Sequence, residues 1–402
     1  SLKNQNYGDN NYNTAVGYLS GQQVTSGLQN TLIGALAGDA LTTGSNNVAI
    51  GHHALSTEDT GHGSVAIGSF ALQDQDAGNA YNVAIGFSAG LEITSGLYNN
   101  LIGGFAGDAL TTGTRNVAIG YNALSTEDGH GRNIAIGHNA LYTLNAGVDA
   151  YNVAVGYDAG FALTTGVQNV LVGGKAGDAL TTGNQNVALG HLALSTEDSG
   201  NKSIAIGYYA LYNQNNDADN YNVAVGHEAG TSITTGVENV LIGGLTGDAL
   251  TTGDYNTAVG HKSLSGEDTG NRNTALGYKT LEVLNYDGNA ENTAVGYIAG
   301  ASITTGLRNT LVGAFAGDSI TTGTDNAAFG RAALASEDTG SKNTAIGYSA
   351  LNSLNYDGDG HNTAMGYNAG VFMSTGIQNT IIGSLAGDAL TTGGNNVAVG
   401  YL

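Results

Sequence analysis

The chain has no proline, no cysteine and no tryptophan in 402 residues, and only 11 lysines and arginines against 33 aspartates and glutamates. Without proline, its 65 glycines cannot form a collagen triple helix. Without cysteine there are no disulfides and no thiolate zinc sites. The deficit of basic residues gives a net charge of −22, which repels phosphate backbones and anionic lipid, so neither nucleic acid nor a membrane surface is an expected partner. No stretch approaches the roughly 18 apolar residues that would span a bilayer, so no membrane insertion is expected in this segment. Charge of either sign is scarce, at 11% of the chain, and the polar surface must consist mostly of Asn, Thr, Ser, Gln and Tyr.

What is present is a repeat. From Asn13 to Gly400 the chain carries 23 copies of a short phrase: Asn, two small or β-branched residues, a large apolar residue, Gly, as in Asn47-Val48-Ala49-Ile50-Gly51. Successive glycines lie 17 residues apart, except that every fourth interval is 19 (18 at Gly68 to Gly86). A period this short marks stacked turns, each covering only its neighbours. The expected fold is therefore all-β, a parallel β-solenoid (β-roll or β-helix) of about 23 coils. Residues 1–12 form a lead-in, and 13–402 a single continuous repeat domain. At about 4.8 Å per coil the stack would be a rod of about 110 Å. The final turn stops in mid-repeat at Tyr401-Leu402, and the chain is expected to be a fragment of a longer one.

Within each turn, the residue before the Gly is large and apolar (Val16, Ile33, Ile50 and onward) and the residue two earlier is mainly Val, Thr or Ile. These two share one face of a short strand and are expected to form the interior. The residue between them is Ala in three turns of four and Leu or Ile in the fourth. That places a second wall close to its face, small enough to let another chain approach. The Gly suits a corner with positive φ or a tight approach. Four residues before the Gly stands Asn in 21 turns, among them Asn13, Asn30, Asn47, Asn82, Asn116, Asn152, Asn186, Asn222 and Asn256; Ser64 and Ser203 replace it in the other two. At strand spacing these amides can form a ladder or bond the turn backbone, a structural role.

After the Gly, turns take one of two forms. Some place Gly after a small residue and a second apolar residue three later, as in Ala37-Gly38-Asp39-Ala40-Leu41; others place Leu directly, as in Ala54-Leu55. The apolar volume moves but is conserved, the behaviour of a packed interior. Four turns make a super-repeat of about 70 residues, the last of them lengthened and rich in Asn and Asp, expected to bulge from a corner.

Three further columns are candidate sites. Aromatic or His residues follow the Gly in most turns, including Tyr18, Tyr121, Tyr157, Tyr208, Tyr278, Tyr297, Tyr348 and Tyr367, and could stack on sugar faces or simply shield a corner. The second turn of each unit breaks this column with a small residue such as Ala35, Gly104 or Gly174. The His members, such as His191 and His261, are about 19 Å apart by strand spacing, too far for a shared metal. Carboxylates recur at Asp39, Asp108, Asp178, Asp248, Asp318 and Asp388, and at Glu58-Asp59, Glu127-Asp128, Glu197-Asp198, Glu267-Asp268 and Glu337-Asp338. Ca²⁺ could bind between turns, but the Gly-Gly-x-Gly-x-Asp pattern is absent, and solvated turn chemistry is the expectation, with no metal or cofactor. Adjacent threonines such as Thr42-Thr43 point to opposite sides, unlike the alternating rows of an ice-binding face. No lone nucleophile or acid pair departs from the repeat, so no enzyme is expected.

The phrase Asn-(Val/Thr)-Ala-(Ile/Val)-Gly with Ala and Gly between resembles the head repeats of trimeric autotransporter adhesins, the YadA-like left-handed parallel β-roll. With Gly-Tyr-x-Ala-Gly and Thr-Thr-Gly it is also similar to repeats of phage tail fibres and tail spikes. The likeness runs from 13 to 400, although the period of 17 is longer than that of adhesin heads. It implies a homotrimer and an extracellular role on a cell surface or virion, as the shaft or adhesive head of an attachment fibre with a glycan or protein receptor. Ice-binding and glycan-binding or glycan-degrading solenoids are the alternatives.

Overall fold

The computed structural model describes residues 1–5 and 10–401; part of the lead-in 1–12, residues 6–9, and the terminal Leu402 lie outside the described residues. No helix is present among the described residues, and so none long and apolar enough to cross a membrane. The chain divides into two compact units, Ser1–Lys202 and Ser203–Leu402. The first holds eleven strands, from β1 (Thr14–Val16) to β11 (Val187–Leu189), and the second holds twelve, from β12 (Ile204–Ile206) to β23 (Val397–Val399). Every strand has three residues and contributes one coil of a parallel β-solenoid. Within each unit consecutive strands pair in parallel and in register, so that Val223, Ala224 and Val225 lie over Val240, Leu241 and Ile242. The strand is the Val-Ala-Ile part of the phrase, and the Gly ends it.

The strand centres, not their flanks, form the interior. Ala49, Ala66, Ala84, Ala224 and Ala258, and the larger Leu32, Leu101, Leu171, Leu241, Leu311 and Ile381, are completely buried. The flanking residues are partly exposed, Ile242 at 38% and Met365 at 45%. The expectation that the large residue before the Gly points inward is thus overturned, and with it the idea that the Ala face is open to another chain. A 17-residue coil is thin. Its cavity accepts one Leu per strand only where its neighbours give way, so most strands turn Ala inward and their bulky β-branched residues outward. The exchange of volume between turn types follows from the same space. A Cβ on Gly38 would lie 2.8 Å from Leu32 and 2.9 Å from Leu41, whereas Leu55 and Leu72 occupy the equivalent place in coils whose strand centre is Ala.

Three corners per coil have left-handed backbone. One is two residues after the Gly (Leu36, φ 58°; Phe105, φ 56°), one four after it (Gly38 or Leu55), and one five before it (Gln29, φ 57°; Arg115, φ 59°). Left-handed conformation costs a non-glycine residue about 1–2 kcal/mol. The cost is offset because each of these corner N–H groups donates to a carbonyl of an adjacent coil: Leu36 to Tyr18 at 2.9 Å, Leu55 to Ala71 at 3.0 Å and Arg115 to Leu97 at 3.0 Å. The Gly that ends the strand is beyond any L-residue, with φ near 140° (Gly243, 140°) and the backbone of the next coil against it.

Candidate functional site

Two columns of side chains line the corners that flank the strand, and a third set of groups is sealed beneath one of them. On the side before the strand stands the asparagine ladder. Each side chain links the coil before it to the coil after it. Asn239 donates its amide to the Gly253 carbonyl (2.9 Å) and to Asn222 Oδ1 (3.2 Å), while its own oxygen accepts the Asn256 backbone N–H (3.0 Å) and side-chain amide (3.2 Å). The same pattern joins Asn13, Asn30 and Asn47, then Asn82, Asn99 and Asn116, and Asn152, Asn169 and Asn186. The ladder asparagines of the internal coils are buried.

Ser64 and Ser203, the two exceptions, have a compensating residue that sequence reading missed. Gln75 Nε2 donates to Ser64 Oγ (3.0 Å) and its Oε1 accepts the Asn82 amide (2.9 Å); Gln214 bonds Ser203 (2.8 Å) and Asn222 (2.8 Å) in the same way. A glutamine eleven residues on, in the same coil, thus supplies the missing amide. Where the ladder residue is Asn133, Asn273 or Asn343, a buried Leu (Leu144, Leu284, Leu354) stands at that place instead.

The glutamates of the acidic corner are not solvated. Glu58, Glu127, Glu197, Glu267 and Glu337 are all completely buried, which corrects the reading of them as surface charge. Each turns back to cap its own corner: Gly61, Gly200, Gly270 and Gly340 donate their N–H to these carboxylates at 2.6–2.7 Å, and His130 does so for Glu127 at 3.2 Å. The neighbouring aspartates do remain at the surface or partly buried. Glu58-Asp59-Asp76 and Glu127-Asp128-His130 bring carboxylates and an imidazole close enough to share an ion, but their backbone and amide donors already account for the buried oxygens. The second aspartate series lies half-buried. Asp108 and Asp248 accept from Ser125 (2.6 Å) and Ser265 (2.5 Å) of the following coil, and Asp178 accepts from Ser195. Burial pushes Asp108 above the ordinary range against its Ser125 bond; it pushes Asp39 and Asp318 up too.

On the side after the strand, the tyrosines of the aromatic column stand in solvent, from 40% exposed at Tyr278 to 72% at Tyr18. It is less broken than the sequence suggested. Where the residue after the Gly is small, the next residue fills the gap in three coils: Phe70, Phe105 and Phe315. In the first unit His52, Phe70, Phe87, Phe105, Tyr121, His138 and Tyr157 form an unbroken run of seven rings with centroids 5.3–5.9 Å apart. In the second, His261, Tyr278, Tyr297 and Phe315 run together, Arg331 lies between the Phe315 and Tyr348 rings, and Tyr348 stacks on Tyr367; Tyr208 stacks on His227. Many rings lie face to face, with planes 10–23° apart for Tyr121–His138–Tyr157 and His261–Tyr278–Tyr297. Such rings cover one another's faces and turn their edges and hydroxyls outward. A second, shorter set of rings and cations stands five residues before the Gly, with Tyr81 stacked on Tyr98, Arg132 over Tyr151 and paired to Asp149, and Arg308 paired to Asp325 through two bonds of 2.7 and 3.0 Å.

No family model matches the chain, and neither a curated protein nor a solved structure matches it.

Proposed function

We propose that the chain is the shaft or adhesive head of an extracellular attachment fibre, displayed on a cell surface or a virion, with a structural and binding role and no catalytic one. The observation that supports this is the exposed aromatic ridge, which repeats along each unit on a surface otherwise poor in charge. Because the rings cover one another, a glycan would meet their hydroxyl and imidazole edges, and a protein receptor would meet a ridge of polarisable rims. The four-coil super-repeat of about 70 residues would then set the spacing at which contacts recur. Replacing Tyr208, Tyr278 and Tyr348 with Ala should abolish binding on a glycan array while the circular-dichroism spectrum stays unchanged. Unaltered binding ends the sugar reading.

The fibre is proposed to be a homotrimer, packed not through Ala but through the outward Val, Ile and Thr columns. No residue in these columns carries charge in any of the 23 strands, although the chain is at −22. An uncharged, partly exposed apolar strip is the kind of surface that a second copy covers. Sedimentation should give a trimer, and Val225→Lys with Ile242→Lys should give a monomer. A monomeric parent chain removes the trimer.

Ice binding is the second reading, favoured by one feature of the second unit. Thr257, Thr274, Thr293 and Thr310 lie in register on the outward face, as do Thr344, Thr363 and Thr380. The column beside them mixes Val259, Leu276, Phe329 and Met365, too uneven in size for a regular lattice. Absence of thermal hysteresis dismisses it.

A further inference from the structure

The buried glutamates fall into two environments, and the difference is functional in kind. Glu58 is locked by amides: besides the Gly61 N–H, its Oε2 accepts Gln75 Nε2 at 3.0 Å and the Ala77 N–H at 3.1 Å. At Glu127, Glu267 and Glu337 the place of Gln75 is taken by Leu144, Leu284 and Leu354, all completely buried. Their second oxygen keeps only one long backbone donor from the next coil: Ala146 at 3.3 Å, Tyr286 at 3.4 Å and Tyr356 at 3.4 Å. A carboxylate removed from water needs strong donors on both oxygens, and a leucine cannot supply one.

The geometry points to these three leucine-faced glutamates as a proton-operated device: they hold a proton in mildly acidic surroundings, which tightens their corners, and losing it as the surroundings turn alkaline loosens those coils. The corner opens locally because the cost of a buried charge falls on one turn and its neighbours, not on the whole stack.

The surrounding charges do not cancel the effect. Asp268, on the same corner, is the charged group that acts on Glu267, and it too disfavours ionisation; Asp248 and Asp287 bond Ser265 and Thr269 of that corner, and Lys279 on the following coil is held by Glu282. Glu337 has Asp338 and Asp357 beside it, with Lys342 held by Asp359. Glu127 differs in having His130, whose Nδ1 lies 3.4 Å from Oε1, together with Asp128; Arg132 is taken by Asp149. Burial is the largest influence on all three and pushes them above the ordinary glutamate range, Glu267 to about 7.

A group whose proton is held more tightly in the folded state contributes stability that is fully present below its unfolded pKa of 4.5 and is lost as pH rises towards the folded value, about 7 for Glu267. Amide hydrogen exchange of the full chain, corrected for intrinsic rates, reads this directly at Gly270. Opening should rise at least tenfold between pH 5.5 and pH 8. Glu127→Gln, Glu267→Gln and Glu337→Gln together should flatten that dependence. A buried-carboxyl infrared band should titrate near neutrality in the parent chain and vanish in the triple variant. The pair Asn273→Ser and Leu284→Gln imports the arrangement around Glu58 and should move the Glu267 titration downward. Titration of all carboxyls below pH 5, or an unchanged pH dependence in the triple variant, overturns the proposal.

Discussion

Removing one rung of the asparagine ladder measures what holds the coils together. Asn239→Ala deletes four hydrogen bonds. Two of the partners keep another bond: Asn222 Oδ1 still accepts the backbone N–H of residue 239 (2.9 Å), and the Asn256 amide still reaches Gly270 (2.8 Å). The Gly253 carbonyl and the Asn256 N–H lose their partner in a buried corner. At about 1–3 kcal/mol for each orphaned group the change costs about 2–6 kcal/mol. At the centre of that range, about 4 kcal/mol, opening of coils 239–256 rises by nearly a thousandfold. Hydrogen exchange read by mass spectrometry over that segment measures it, with exposed Thr235→Ala as the control expected within about 0.5 kcal/mol of the parent. Less than a tenfold increase for Asn239→Ala would mean that the amides merely accompany the ladder of strand bonds.

Two pairs of substitutions separate inside from outside and corner from loop. Leu241→Ala, in a completely buried strand centre, should cost about 2–5 kcal/mol by urea denaturation, while Ile242→Ala, beside it and 38% exposed, should cost about 1 kcal/mol; equal costs would contradict the inward Ala/Leu face. Gly243→Ala should cost about 3 kcal/mol or more, because φ is 140° and the new Cβ would lie 2.6 Å from the Gly260 carbonyl oxygen. Gly78→Ala, left-handed at φ 63° but facing open space, should cost only about 1–2 kcal/mol by the same assay.

The coil, its period and the strand positions were legible because Asn, Ala and Gly recur at fixed offsets, and each recurrence has one physical use. The direction of the strand was not. In Val-Ala-Ile both faces are apolar, so alternation carries no sign, and the usual inference that the larger side chain is the buried one fails in a coil too thin to hold it. The left-handed corners were hidden because Leu36, Gln29 and Arg115 have no preference for that conformation; bonds between coils impose it. Among the candidate residues, the aromatic column was visible as a run, but its continuity was not, since Phe70, Phe105 and Phe315 enter it from one residue further along. Glu267 read as a solvated charge in Ser-Gly-Glu-Asp-Thr-Gly, and only the closure of the turn over it shows otherwise. A usable signal did exist: Ser64 and Ser203 are each followed eleven residues later by Gln in place of Leu, a paired change that marks two positions in contact.

The central claim, parallel coils in register at a spacing of 17 residues, can be tested with the chain's lack of cysteine. Val223 and Val240 are register partners on the outward face, and strands in a sheet lie about 4.8 Å apart, within the range of Cα separations that a disulfide bridges. Val223→Cys with Val240→Cys should oxidise to an intrachain disulfide, seen by mass spectrometry of the folded chain. Val223→Cys with Leu241→Cys, one residue out of register and facing inward, should stay reduced. A reduced first pair, or equal oxidation of the two, would contradict the solenoid described here.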